Sequence, residues 1–364
     1  MSVFLLIAML VVLIVVHELG HFTAAKLLNV RVEEFGVGYP PRAFLIAVYK
    51  GTQYTINWLP FGGFVRLLEE DGMERPESRP RGGSFAAAPK WKQAIILFAG
   101  VIANAIFGWT LFTAGLMSGM PAEVTTLQAG ARLLVTQVVP GSPAEHASIH
   151  VGDEITGVVD KNTSMAATLT PTAVVDFVRE RGGKALAISY MRKGIEETIA
   201  LEPAHAILPD MPSRPAIGMG LALVAEQQLP FGSAFVEGAT HTGYALRSVL
   251  SGMWMLVRDA FIGTADIRIL VGPVGLVSVV GDASAHGLGE FFALAALISV
   301  NLVIINLLPI PVLDGGRLVF VALESLRGKK ISRTAAQILN TLGFASIIIL
   351  MIAVTYNDIA RLIS

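Results

Sequence analysis

The chain has 364 residues, 53% of them hydrophobic and 15% charged, with a formal charge of -1 and a mean hydropathy of +0.63. That composition excludes an ordinary soluble globule, and the near-neutral charge excludes the broad Lys/Arg surface that phosphate recognition demands, so nucleic acid is set aside as a partner. With no cysteine there is neither a disulfide framework nor a thiolate metal site, and any transition metal has to be held by His, Asp or Glu.

The first element is the apolar run that ends in "HELGHFTAAKLLNV". Its strictly apolar part, Val3 to Val16, is short enough to be the core of a signal peptide. No positive segment precedes it, however, and the apolar pattern continues past the histidines through Phe22, Ala24, Ala25, Leu27 and Leu28, so it reads as a retained span over 1–28. His17 and His21 are four residues apart, which on a helix puts both imidazoles on one face, where each can give a ring nitrogen to one metal ion, zinc being the natural candidate. Glu18 follows the first ligand and would stand beside the open coordination position, able to take a proton from water and pass it to a leaving amine. The plainer alternative is that these residues mark the wet end of a span. Against it, ionisable groups at membrane depth cost roughly 3 kcal/mol each and are usually functional where they occur.

The segment 29–90 contains "AFLIAVYKGTQYTINWLPFGGFVRL", alternating residues on either side of a Gly-containing turn, which predicts a β-hairpin plus a third short strand. A second span follows at 91–119, its apolar part Ala94 to Met117. From Ala131 to about Pro203 the pattern becomes that of a soluble domain, bounded at 120–205. It has strand-like "RLLVTQVV", "DEITGVV", "ALAISYM" and "EETIAL", and a helix-like "TAVVDFVRERGG". The linker 206–288 carries a helical stripe of Leu246, Val249, Leu250, Met253, Leu256, Val257, Ala260 and Phe261 opposed by Arg247, Ser251, Trp254 and Arg258. This is an amphipathic helix that either lies on the membrane surface or packs under the soluble domain.

A third span is predicted over Phe291 to Leu313 within the segment 289–316, and a fourth over Ala336 to Thr355 within 317–364. The residues 26–92 carry ten Lys or Arg against seven acids, and the stretch after the third span carries Arg317, Arg327, Lys329, Lys330 and Arg333 against Glu324. Both therefore read as cytoplasmic, which leaves 120–288 and both termini outside. On this topology the first and third spans run the same way, so Asp314, in "NLLPIPVLDGGRL", ends level with the histidines. It is either a third metal ligand or the N-cap of a helix leading to Arg327, with Gly315 and Gly316 supplying the turn. Asn306 lies in an apolar span broken by Pro309 and Pro311. Its amide could bind a substrate backbone or polarise a scissile carbonyl; equally, Asn104, Asn301 and Asn306 could hydrogen-bond between helices. His146, His150, His205, His241 and His286 fall away from this constellation and read as solvated or structural.

Together, "HELGH" in a first span and "NLLPIPVLDGG" in a third resemble the site-2 protease family of intramembrane zinc metalloproteases. The piece "VVPGSPAEHASIHVGDEI" resembles the core of PDZ domains in bacterial membrane proteases, although Ser148 and Ile149 stand where that family has Gly-Leu. The four-span layout with a single PDZ domain is similar to bacterial regulator-of-sigma-E proteases. The resemblance implies a polytopic α-helical membrane protein with a membrane-associated β-hairpin and an extracytoplasmic PDZ-like α+β insertion. It implies Zn2+ bound by His17, His21 and Asp314, Glu18 as catalytic base, and Asn306 in substrate binding. It further implies residence in the inner membrane with the active site toward the cytoplasm. The implied partners are single-span membrane substrates such as anti-sigma factors, an upstream trimming protease and the lipid bilayer. The PDZ-like domain would bind peptides or act as a size filter. Two other functions are expected to leave distinct traces: a catalytically inactive PDZ-bearing scaffold would hold no zinc, and a membrane-anchored zincin acting on soluble proteins would cut outside lipid.

Overall fold

The computed structural model describes residues 1–68, 83–128, 130–160, 169–192, 194–205, 207, 213–263 and 270–363. The chain forms two compact units, one made of Met1–Gly119 with Leu229–Ser364, the other of Met120–Gln228.

The first unit is helical apart from one sheet. Helix α1 (Ser2–Leu27) is apolar around its whole circumference over 3–16, as a helix surrounded by lipid and other helices has to be. It is followed by β1 (Val32–Tyr49) and β2 (Thr52–Leu67), joined through Lys50 and Gly51, both at positive φ (48° and 76°), the conformation that matches the twist of a two-residue hairpin. Both strands bend, so that the sheet reads across as 42–49, 52–57, 32–37, 63–67, with Glu34 opposite both Gln53 and Arg66. The expected hairpin and third strand are present. The stretch 32–37, which the sequence reading left unassigned, is the segment that joins them. Glu34 is buried there and is held by Arg42, Arg66 and the Thr55 hydroxyl.

Helix α2 (Lys90–Ser118) ends at Gly119 in the left-handed conformation and packs closely on α1, where Gly20 faces the Ala99 carbonyl and Ala103. After the second unit come α5 (Phe231–Ile262), α6 (Pro273–His286), α7 (Leu288–Leu307), α8 (Asp314–Arg327) and α9 (Arg333–Ile363), the labels α3 and α4 belonging to that unit. Among the described residues, four helices are long and apolar enough to cross a membrane: Ser2–Leu27, Lys90–Ser118, Leu288–Leu307 and Thr334–Arg361.

One expectation needs correction here. The third span stops at Leu307 rather than Leu313, because Leu308 precedes Pro309 and takes an extended conformation (φ -62°, ψ 142°). The amphipathic helix expected in the linker is α5 (Phe231–Ile262). It lies along α2 and α7, with Trp109 Nε1 donating to the Phe235 carbonyl (2.8 Å) and Leu246 and Val249 against Val101, Val303 and Ile304. Helix α6, not anticipated as a separate element, is capped from a distance: the buried Asp358 of α9 accepts from the Gly272 and Gly275 amides at 3.1 and 2.8 Å.

The second unit is a six-stranded antiparallel sheet of β3 (Met120–Glu123), β4 (Arg132–Val138), β5 (Glu154–Val159), β6 (Leu186–Arg192), β7 (Ile195–Leu201) and β8 (Met219–Gln227), in the order β3-β8-β4-β5-β6-β7. It also carries α3 (Pro143–His146) and α4 (Pro171–Arg179). All five elements expected between 131 and 203 are found. The unit nevertheless runs to residue 228 rather than 205, because β8 inserts between β3 and β4. Its core is built from Leu133, Val135, Ile155, Val158, Val174 and Ile188 among others. Ser148, at the position where a glycine was noted as usual, has φ 58°, and its carbonyl accepts from Arg192 Nη2 at 2.8 Å.

Candidate metal centre

The two imidazoles lie on the face of α1 turned toward α2, both buried, with rings 4.6 Å apart and nearly perpendicular. This packing depends on α2 carrying no side chain at position 100: a methyl at Gly100 would stand 2.8 Å from His17 Cε1 and would overlap the His21 ring as well. One turn earlier on α2, the Ile96 carbonyl oxygen lies 2.7 Å from His21 Nδ1. That nitrogen therefore carries the proton and donates, leaving the lone pair on Nε2, the atom that faces His17 and Asp314.

Asp314 comes to these rings from the other end of the chain. It is the first residue of α8, with Leu313 before it in extended conformation, so it neither ends the third span nor acts as the N-cap. Gly315 and Gly316 do not make a left-handed turn. They sit in the first turn of α8, where a Cβ would collide with the backbone of Leu307, Leu308 and Ile310, so their lack of a side chain lets the helix fold back on the chain entering it. Leu318 and Val321 then pack on a cluster containing Ala25, Ile96 and Leu97, and Glu324 pairs with Lys90 at 2.5 Å, fixing α8 against α2. Burial opposes ionisation of Glu324, but the Lys90 ammonium and the Ile331 amide outweigh it and hold the carboxyl below its ordinary value.

The result is a triangle. His17 Nε2 and His21 Nε2 are 3.1 Å apart, and each faces Asp314 Oδ2, at 3.0 and 3.2 Å. Among the described residues, His17, His21 and Asp314 are the group of three ligand side chains that could hold a metal ion. Asp314 Oδ2 is buried and has no hydrogen-bond partner. Lone pairs and a carboxylate oxygen turned toward one point form an arrangement that is costly unless a cation sits among them. The spacing also suits a tetrahedral ion, whose neighbouring ligands stand about 3.3 Å apart for bonds of about 2.0 Å.

Glu18 is half-buried on the next position of α1, and β2 passes beside it: a side chain at Gly63 would begin 3.6 Å from Glu18 Cγ. Asn306 is half-buried near the end of α7, and its amide makes no hydrogen bond to any described residue. Asn301 bonds back to its own helix through the Leu297 carbonyl, 2.9 Å away, and so does not tie helices together. His241 stacks on Phe112 and His286 bonds to the Asp282 carbonyl, both apart from the triangle. Gly100 and the Ile96 carbonyl were missed in the sequence. The one signal available was a small residue on the second span, and a backbone acceptor leaves no signal at all.

The description "Peptidase family M50" matches residues 5–350. The zinc metalloprotease RasP of Oceanobacillus iheyensis is 28% identical over 98% of this chain and 98% of its own length, and that of Geobacillus kaustophilus is 26% identical over 96% and 95%. Among solved structures, the PDZ domain of an SdrC-like protein from Listeria monocytogenes is 20% identical, covering 27% of this chain and 93% of its own, at a TM-score of 0.21. With its family match running from the first helix into α9, the chain belongs to peptidase family M50.

Proposed function

We propose that the protein is an intramembrane zinc endopeptidase that cleaves transmembrane segments of single-span regulatory proteins, anti-sigma factors being the type of substrate the resemblance implies. The observation that carries this reading is the convergence of His17 Nε2, His21 Nε2 and Asp314 Oδ2 within 3.0–3.2 Å, from opposite ends of a chain whose long helices are apolar enough to span a bilayer. On this reading these three residues hold the zinc ion. When bound, the ion supplies Lewis acidity, lowering the pKa of water and polarising the scissile carbonyl.

The chain's own residues do the rest. Glu18 takes the proton from the attacking water and returns it to the departing amine. A transmembrane helix hides its peptide bonds in its own ladder, so cleavage needs local unwinding and a replacement for the lost hydrogen bonds. Among the described residues the segment 63–66 of β2 pairs with β1 along one side, and Gly63 lies beside Glu18, so its other edge can take an unwound substrate as an added strand. Asn306 binds the backbone of that strand. The exposed Phe44, Leu45, Ile46, Val48, Tyr49 and Trp58 of the same sheet suit an element immersed in lipid rather than a cytoplasmic hairpin. The charge bias of the flanks supports a metal centre toward the cytoplasm with the second unit outside; an inner-membrane address and substrates trimmed beforehand by another protease are what the resemblance implies.

The test is a reporter span co-reconstituted with the full chain. Wild-type protein is expected to carry zinc and cut within the span; E18Q is expected to keep the zinc and lose the cut; H17A and D314A are expected to lose both. Cleavage by E18Q at the wild-type rate, or undiminished zinc in D314A, would overturn the assignment.

A further inference from the structure

Asn104 lies one turn beyond Gly100 on α2 and has no exposed surface. Its backbone carbonyl accepts from the Ser299 hydroxyl of α7 at 2.9 Å, which pins the residue in place. Its side chain faces the metal centre from behind: Nδ2 is 3.4 Å from His17 Nδ1, while Oδ1 is buried with no hydrogen-bond partner. An amide that deep in the protein is costly unless its oxygen finds a donor.

The two ends of an amide exchange by a half-turn about its last bond, with nothing else moving. With Nδ2 toward the ring, His17 Nδ1 has to accept, and a neutral imidazole then carries its proton on Nε2, the atom facing His21 and Asp314. With Oδ1 toward the ring, the orphaned oxygen gains a donor, Nδ1 keeps the proton, and the Nε2 lone pair points into the triangle. His21 is already fixed in that state by the Ile96 carbonyl, an acceptor that cannot turn over.

We propose that Asn104 is a positioning residue for the metal centre. Its Oδ1 accepts from Nδ1–H of His17 and holds that ring in the ligand tautomer, as the Ile96 carbonyl does for His21. The inference rests on the reading of His17, His21 and Asp314 as zinc ligands and goes one shell further out. The side-chain bond from α2 to α1 is of the helix-to-helix kind that the sequence suggested for Asn104, here directed at a metal ligand, while the contact to α7 is made by its backbone.

The experiment compares zinc affinity, by chelator competition, of full-length detergent-purified wild type, N104L, N104D, S299A and H17A. Leucine has nearly the shape of asparagine but no acceptor, so N104L is expected to bind zinc about 10–100-fold more weakly. A carboxylate accepts from Nδ1–H, so N104D is expected to restore the affinity. S299A loosens the α2–α7 contact without touching a ligand and is expected to match wild type. If N104L does not fold, N104A removes the amide without strain and carries the same comparison. Wild-type affinity in N104L, or N104D as weak as N104L, would overturn the proposal and leave the zinc site standing. Equal affinity in wild type and H17A would sink the zinc site itself, and the proposal with it.

Discussion

Gly100→Ala puts the architecture of the centre to a sharp test, because one methyl group is enough to disturb it. The added carbon would stand 2.8 Å from His17 Cε1 and in overlap with the His21 ring, where ordinary carbon contacts need about 3.5–4.0 Å. The His17 ring therefore has to retreat by about 0.7–1.2 Å and the His21 ring, whose Nε2 would lie nearer still to the added carbon, by more, unless α1 parts from α2. Zinc tolerates deviations of only about 0.2 Å in its bonds, so a triangle with edges of 3.0–3.2 Å cannot absorb the shift. Overpacking of this kind costs about 1–3 kcal/mol, and at about 1.4 kcal/mol per decade that becomes a loss of roughly 5- to 150-fold in zinc affinity. The assay is chelator competition on the purified chain, with Gly232→Ala as control, since a side chain there meets nothing within 4 Å. If Gly100→Ala binds zinc as wild type does, the two rings do not occupy the places assigned to them.

Three further outcomes concern the second unit. Ser148 holds a left-handed conformation at φ 58° that costs a non-glycine residue about 1–2 kcal/mol, offset in part by glycine's greater freedom when unfolded, so S148G is expected to stabilise the unit by about 0.5–1 kcal/mol. A melting transition that falls rather than rises would refute this. Asp153 is buried, and although burial opposes its ionisation, Arg192 at 2.5 Å and the His150 amide at 2.8 Å hold its carboxyl below the ordinary 3.8. The stability from this pairing is thus fully present above that value and lost as pH falls through the lower folded-state value; acid unfolding with the same pH slope in D153N would contradict it. Ile188 is fully buried, so Ile188→Ala is expected to cost about 2–5 kcal/mol and Ile188→Val about 0.5–1.5, measured by thermal denaturation; equal costs would argue against close packing.

Much of this was legible because it rests on periodicity. The apolar spans, the i,i+4 histidines and the strands and helix between residues 131 and 203 all follow from patterns confined to a few turns or one strand. What escaped depends on partners distant in sequence. The stretch 32–37 carries Glu33 and Glu34 and so breaks the alternation a strand normally displays, and only the fold shows Glu34 enclosed by Arg42, Arg66 and Thr55. Strand β8 lies far along the chain from the β4 it joins, and nothing local in "MGLALVAEQ" announces that pairing. The glycines after Asp314 looked like turn residues because turns are their commonest use. Here the demand is proximity of one backbone to another. In the same way, the stripe on α5 marked it as amphipathic without saying whether lipid, water or α2 would cover the apolar side.

The three ligands stand near the two ends of the chain, and that has a consequence for how the molecule is made. A nascent chain still attached to the ribosome displays both imidazoles and Glu18 from the moment α1 emerges, but it has no carboxylate to complete the set until α7 has been threaded and α8 has begun to form. On the proposed assignment each newly synthesised molecule therefore lacks its third ligand through most of its own synthesis, since Asp314 belongs to the last seventh of the sequence.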